Sequence, residues 1–347
     1  MHELDADNVI PWLKARGCLP KSGAAHAELL AWGVSNVVLR VSPADGDDFV
    51  VKQSREQLRT KSAWFSRLDR IWREESVMRV LEELLPPGIV PRVLFTHRPD
   101  YVLAMEAIEA NHVVWKAALL AGVLDVQIAE TLGGILARIH GNSVRRPELR
   151  PQFDDRTVFD ELRIDPFYRF VAARIPAMRE PIHLLLDEME STCIALVLAD
   201  FSPKNILIHN GALTLVDFET GHWGDPAFDL GLFLSHLLLK MIHAPQRSTG
   251  FRTLTEDFCR TYFSSPALAD LGEAMHRSEL ERRAIAHLGA CMLARIDGKS
   301  PVDYLTDAAS QQLARLFGMD LLTHPPSSLA DAVQRLQRRL AVGEDES

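Results

Sequence analysis

The chain has 347 residues, 47% hydrophobic and 24% charged, the balance of a soluble globular protein with one large or two smaller cores. Its net charge of −9 argues against nonspecific binding to nucleic acid, which recruits a cationic face, so no nucleic-acid partner is expected. Cys18, Cys193, Cys259 and Cys291 stand far apart without a C-x-x-C pair, so neither a zinc site nor a disulfide framework is expected and reduced thiols in a cytoplasmic protein fit best.

The acidic N-terminus MHELDADNV lacks a signal-peptide pattern, and Val9 to Cys18 reads as a short amphipathic helix. Val37, Leu39 and Val41 alternate with Val38 and Arg40, and a Pro/Asp/Gly turn separates them from Phe49 to Lys52, which predicts a hairpin. A lysine that closes three apolar residues, as Lys52 does, is ordinarily a solvated strand end. In the helix that follows, Glu74, Met78 and Leu81 fall at i, i+4 and i+7. Glu74 therefore shares the inward face and is the first choice as partner for Lys52, with Glu75 second.

Arg92 to Thr96 and Tyr101 to Met105 read as a further pair of strands. From Val113 the pattern turns helical, with Ile128, Leu132, Ile135, Leu136 and Ile139 forming an apolar stripe that leads to His140. A histidine closing a core helix is more often structural than catalytic, and His140 is left out of the catalytic set. Arg145 to Pro181 mixes charge with Phe159, Phe167, Tyr168 and Phe170, and a helix with a buried aromatic face is preferred there to a substrate wall.

The most informative stretch is LVLADFSPKNILIHNGALTLVDFETGHWGDPAFDLGL, from Leu196 to Leu232. Ile206 to Ile208 and Ala212 to Val216 are strand-like runs joined by Asn210-Gly211, the dipeptide that most readily takes a type I′ turn. The hairpin is expected to carry Asn205, at its start, back toward Asp217, at its end. Phosphoryl transfer spreads negative charge over the equatorial oxygens and needs positioning, divalent metal and a group that orients the attacking hydroxyl. Asp200 suits the last role, and Asn205 and Asp217 offer hard oxygen ligands to Mg²⁺.

LADFSPKN, VDFE and GDPAFDLG resemble the catalytic and metal-binding segments of the aminoglycoside phosphotransferase and choline kinase families, small-molecule relatives of the protein kinases. That resemblance implies an α+β, protein-kinase-like two-lobe fold. Residues 1–106 would form an N-terminal nucleotide-binding lobe of antiparallel sheet with a helix, and residues 107–347 a mainly helical lobe with the catalytic loop, metal site and acceptor pocket. It also implies ATP in the cleft, with Ser35 and Asn36 of the Gly33–Asn36 turn and Lys52 at the phosphates, Glu74 pairing with Lys52, and Met105 and Ala107 along the adenine hinge. Asp229 would brace the catalytic loop through backbone hydrogen bonds, while Asp225-Pro226 fits a helix start on its own chemistry.

Leu198 and Ala199 stand where the family pattern has His and Gly. The reading adopted is an Mg-ATP-dependent kinase that phosphorylates a hydroxyl of a small molecule, with no membrane partner. The alternative is a catalytically impaired ATP-binding pseudokinase acting as an interaction module. A protein kinase comes third, because Asp-Phe-Glu replaces the protein-kinase Asp-Phe-Gly. Farther on, Arg295, Asp297 and Lys299 surround a Gly turn that reads by default as an interhelical loop held by ion pairs.

Overall fold

The computed structural model describes residues 2–30, 36–58 and 64–344. The chain divides into two compact units, one formed by Met1–Val113 with Leu207–Thr220, the other by Val114–Ile206 with Gly221–Ser347.

The first unit is built on a five-stranded antiparallel sheet of β1 (Ala25–Leu29), β2 (Asn36–Pro43), β3 (Phe49–Ser54), β4 (Val93–His97) and β5 (Val102–Glu106), in the order β1-β2-β3-β5-β4. Alternation in β2 sends Val37, Leu39 and Val41 to one face, where they pack with Val51, Val102, Ala104 and with Val9, Trp12 and Leu13 of α1 (Val9–Ala15). β3 is central and buried along its length, and Lys52 lies in register with Val38 on one side and Leu103 on the other. Helix α2 (Arg70–Leu84) buries Arg70, Ile71, Glu74, Val77, Met78 and Leu81, the three-and-four spacing of a single face. The hairpin of strands Ile206–His209 and Ala212–Leu215 turns at Asn210 and Gly211, whose φ values of 49° and 78° meet the demand of a type I′ turn for two left-handed residues. The Leu215 N–H donates to the Ile89 carbonyl at 2.7 Å, which ties the hairpin to the segment after α2.

The second unit is mainly helical. Its principal helices are α3 (Trp115–Ala121), α4 (Val126–Val144), α5 (Arg179–Ser191), α6 (Ala227–His243), α7 (Ser248–Phe263), α8 (Arg277–Asp297), α9 (Ala308–Thr323) and α10 (Leu329–Glu344). The apolar helix α6 is buried nearly throughout and packs on α8. Gly231 permits that approach, since a Cβ there would lie 2.5 Å from the Cβ of His287. No single helix among the described residues is long and apolar enough to cross a membrane.

Two irregular pieces position the loop that matters. Strands Ala195–Val197 and His222–Gly224 pair antiparallel, and the first leads directly into Leu198-Ala199-Asp200. Asp160–Arg169 is wound as a π-helix containing Pro166, a geometry often found near functional sites. It buries Phe167 and Tyr168, the aromatic face expected there, and it also buries Arg163.

Candidate active site

In the first unit, the strand-end lysine is not solvated. Lys52, 6% exposed, places Nζ 2.7 Å from Glu74 Oε2 and 2.6 Å from Asp217 Oδ1. Glu74 is thus the partner, and Glu75 instead pairs with Arg79. Asp217 adopts φ 71°, a left-handed conformation uncommon for a non-glycine residue. Two residues on, buried Glu219 accepts hydrogen bonds from Asn36 Nδ2 at 2.8 Å and Arg70 Nε at 3.1 Å. Arg70 is fully buried and spends its other donors on the carbonyls of Ser66, Arg67 and Arg55. Asn36 also accepts from Arg70 at 3.3 Å. Ser35, with Gly33 and Val34, lies outside the described residues.

Glu74, Asp217 and Glu219 each present an oxygen within 4.8 Å of the others. Burial alone would lower the Lys52 pKa, but Asp217, Glu74 and Glu219 together raise it well above its ordinary value, so the ammonium stays charged. Burial raises the Glu74 carboxyl to about 7 against the pull of Lys52, with Asp217 and Glu219 adding to the rise. Lys52 pairs with Glu74 and Asp217, and Glu219 is met by Arg70. On the neighbouring strand Met105 pairs with Val50 and Val93, and the Ala107 N–H donates to the Asp48 carbonyl at 3.4 Å.

In the second unit, Asp200 is held from several sides. Its Oδ2 receives Arg163 at 2.9 Å, Lys204 at 2.8 Å and Asn205 Nδ2 at 2.9 Å. Asn205 Nδ2 also donates to the Asp200 carbonyl at 3.0 Å, so both amide contacts fix which atom is nitrogen and leave the amide oxygen as an oxygen donor for a metal. Behind the loop, fully buried Asp229 accepts the N–H groups of Leu198 at 2.8 Å and Ala199 at 2.7 Å, the bracing that the resemblance implies. His140 Nε2 lies 3.1 Å from the same carboxylate and Nδ1 lies 2.8 Å from the Tyr262 hydroxyl, which makes His140 structural. Arg163 Nε donates to the Ala199 carbonyl at 2.7 Å. Where the family pattern has histidine, Leu198 packs in the core, and Arg163 and Asp229 hold the loop backbone. Asp225 behaves as a helix start, accepting from the Ala227 N–H at 3.0 Å, and its charge is met by Arg283 at 2.8 Å.

The structure therefore brings Lys52, Glu74 and Asp217 together in one unit and Asp200 with Asn205 in the other. Sequence reasoning missed Arg70 and Arg163. Arg70 carried a signal, for it stands one helical turn before Glu74 on the same inward face. Arg163 carried none beyond lying among buried aromatics.

Residues 26–262 match the sequence model of the phosphotransferase enzyme family (APH), and the chain belongs to that family. It is 25% identical over 338 residues to a methylthioribose kinase of Pectobacterium carotovorum subsp. carotovorum (strain PC1), with 84% of each chain covered. It is 24% identical over 337 residues to the methylthioribose kinase of Yersinia pestis (strain Pestoides F), covering 83% of this chain and 82% of that one. The fold is shared with amicoumacin kinase hAmiN, solved with AMP-PNP, Ca²⁺ and Ami, at a TM-score of 0.55 and 14% identity over 96% of this chain and 97% of that one. A choline/ethanolamine kinase family protein from Mesorhizobium loti shares it at 0.51 and 16% identity, covering 96% and 99%. The chain is a small-molecule phosphotransferase, and the expected α+β, kinase-like fold is the one observed.

Proposed function

We propose that this cytoplasmic enzyme moves the γ-phosphoryl group of Mg-ATP to a hydroxyl of a small molecule. The observation that carries the reading is the buried Lys52 ammonium held between Glu74 and Asp217, since a cation fixed on a sheet by a helical glutamate is how kinases hold nucleotide phosphates. Lys52 would meet the α and β phosphates with Ser35 near them, Asn36 would act there through Glu219, which its amide holds, and Met105 and Ala107 would present backbone to adenine. Asp217 and Asn205 are the proposed oxygen ligands to Mg²⁺. The donor set fits that ion: a carboxylate with further carboxylates within 4.8 Å, and an amide whose nitrogen is already committed. The metal's contribution when bound is to neutralise charge on the phosphates.

Asp200 would orient the acceptor hydroxyl. As the new oxygen–phosphorus bond forms and the bond to ADP breaks, the hydroxyl proton passes to its carboxylate. Arg163 and Lys204 fix where that carboxylate points. Methylthioribose, the substrate named for the relatives, is the first acceptor to try. The test is calorimetric titration of ATP with and without Mg²⁺, repeated with Asp217→Ala, followed by an acceptor screen with Asp200→Asn as control. Magnesium-dependent binding that Asp217→Ala removes, with turnover that Asp200→Asn lowers by roughly 10²–10⁴ at little change in ATP affinity, is the expected result. Well-folded protein that binds no ATP would overturn the reading.

A further inference from the structure

Helix α6 buries a cation that no carboxylate among the described residues pairs with directly. Lys240 is 1% exposed, and its Nζ meets the His236 carbonyl at 3.1 Å and the face of Tyr304 at 5.0 Å, with no carboxylate in an ion pair among the described residues. Arg295 of α8 is 8% exposed and, among the described residues, donates to Ser300 alone, at 3.1 and 3.3 Å, while its Nε finds no partner there. His236, also 8% exposed, has no partner for Nε2 among the described residues. Lys116 stands 5.8 Å from the same Tyr304 ring, and its partner Asp303, at 2.9 Å, is exposed. Of the charged neighbours of the default ion-paired loop, Asp297 and Lys299 do have partners, Arg315 at 2.7 Å and Asp165 at 2.7 Å. Arg295 makes no such ion pair among the described residues, although the Asp200 carboxylate acts on it at longer range.

A buried ammonium without a counter-charge is costly, and proteins keep such groups where a ligand supplies the missing charge. Burial, with Lys116 and Arg295 adding and Asp303 opposing, pushes Lys240 down to about 7, and burial with Arg295 and Lys240 pushes the His236 imidazole well down. The cluster also adjoins the proposed chemistry, because Arg295 lies 4.8 Å over the Phe167 ring and Arg163, the partner of Asp200, lies 5.6 Å over that ring.

We propose that the acceptor carries an anionic group, a carboxylate or a phosphate, received by Lys240 and Arg295 with His236 beside them. This rests on Asp200 as the group that orients the acceptor. A cationic acceptor would meet like charge here, and a neutral one would leave Lys240 unpaired.

The test uses the full chain and a matched set of probes: glycerate, glycerol 1-phosphate, inorganic phosphate, neutral glycerol and methylthioribose, and cationic serinol. Binding is followed by melting shift and calorimetry, and ADP release is measured with Mg-ATP. At least one anion is expected to bind, the glycerate and phosphate arms telling carboxylate from phosphate. Lys240→Met and Arg295→Met should each weaken that binding tenfold or more while ATP affinity is unchanged. Lys240→Met without ligand should melt higher than the parent, which separates lost recognition from lost folding. His236→Gln gives a third, milder variant. No anion binding that depends on Lys240, or a neutral or cationic acceptor whose KM Lys240→Met leaves alone, overturns the inference. Lys240-dependent anion binding in well-folded protein that binds no Mg-ATP would keep the anion site and remove the phosphotransfer reading, whereas release with methylthioribose or serinol that is indifferent to Lys240→Met would do the reverse.

Discussion

Asp229→Asn tests whether one buried carboxylate fixes the loop that ends in Asp200. Asp229 is 0% exposed, and its two oxygens accept the N–H groups of Leu198 and Ala199 at 2.8 and 2.7 Å. Hydrogen bonds to a charged group are worth about 1.5–3 kcal/mol each, and a buried donor left without an acceptor costs about 1–3 kcal/mol. Asparagine has nearly the same shape but keeps one acceptor, loses the charge and turns an NH₂ toward a backbone N–H. The second bond becomes a donor–donor contact, and the first is weakened. The expected loss is about 2–4 kcal/mol, a large part of the ~5–15 kcal/mol typical of a folded domain. Urea denaturation followed by the tryptophans, of which Trp115 and Trp223 lie in the second unit, should show a lower midpoint at unchanged slope. A variant within about 1 kcal/mol of the parent would show that Arg163, through the Ala199 carbonyl, holds the loop without Asp229.

Ala199 sits at φ 57°, where a Cβ is penalised, so Ala199→Gly should gain ~1 kcal/mol in the same assay, and a loss would mean that the methyl's packing outweighs the strain. Lys52→Met should weaken Mg-ATP binding and yet fold at low pH, because Glu74, already raised to about 7, then keeps its proton. A carboxyl whose folded pKa lies above its unfolded value stabilises below the unfolded value and loses that contribution as the pH climbs through the folded one, so this variant's melting point should drop from pH 5 to pH 8 more than the parent's. For Lys240, lowered to about 7, the sign is the opposite. Between about 7 and its ordinary value the unfolded chain binds a proton that the folded one does not, so the parent gains stability with rising pH, and the advantage of Lys240→Met should be greatest at or below pH 7 and shrink toward pH 10. An advantage independent of pH would mean that Lys240 is not the titrating group.

What could be read in the sequence was local. The Asn210-Gly211 hairpin, the helical face that selects Glu74 over Glu75, and Asp225 at a helix start each rest on residues a few positions apart, whose geometry follows from turn and helix periodicity. Asn36 shows where such reading stops: a polar residue beside a glycine turn suggests phosphate contact, but its amide is bound to Glu219, 183 positions away. Arg163 and Arg70 likewise owe their meaning to partners supplied by tertiary packing, which leaves no periodic trace. The adenine hinge is a backbone site, so the side chains of Met105 and Ala107 could mark it only by their order along the chain.

Lys240 was hidden for another reason. LGLFLSHLLLK is apolar nearly all round, and the helix continues past its last residue to His243 and buries Lys240. The same accounting applies to both units. In the first, Glu74, Asp217 and Glu219 face Lys52 and Arg70, three acids against two cations, which leaves negative charge for a divalent ion to meet. In the second, Lys240 and Arg295 are buried without a carboxylate in ion-pair contact among the described residues, which leaves positive charge for the acceptor to meet. In each unit the unmatched charge has the sign opposite to that of what it is proposed to bind. If the two clusters were only structural, neutralising either by mutation would stabilise the protein and leave ligand binding untouched; if they are binding sites, the stability gained must be matched by affinity lost.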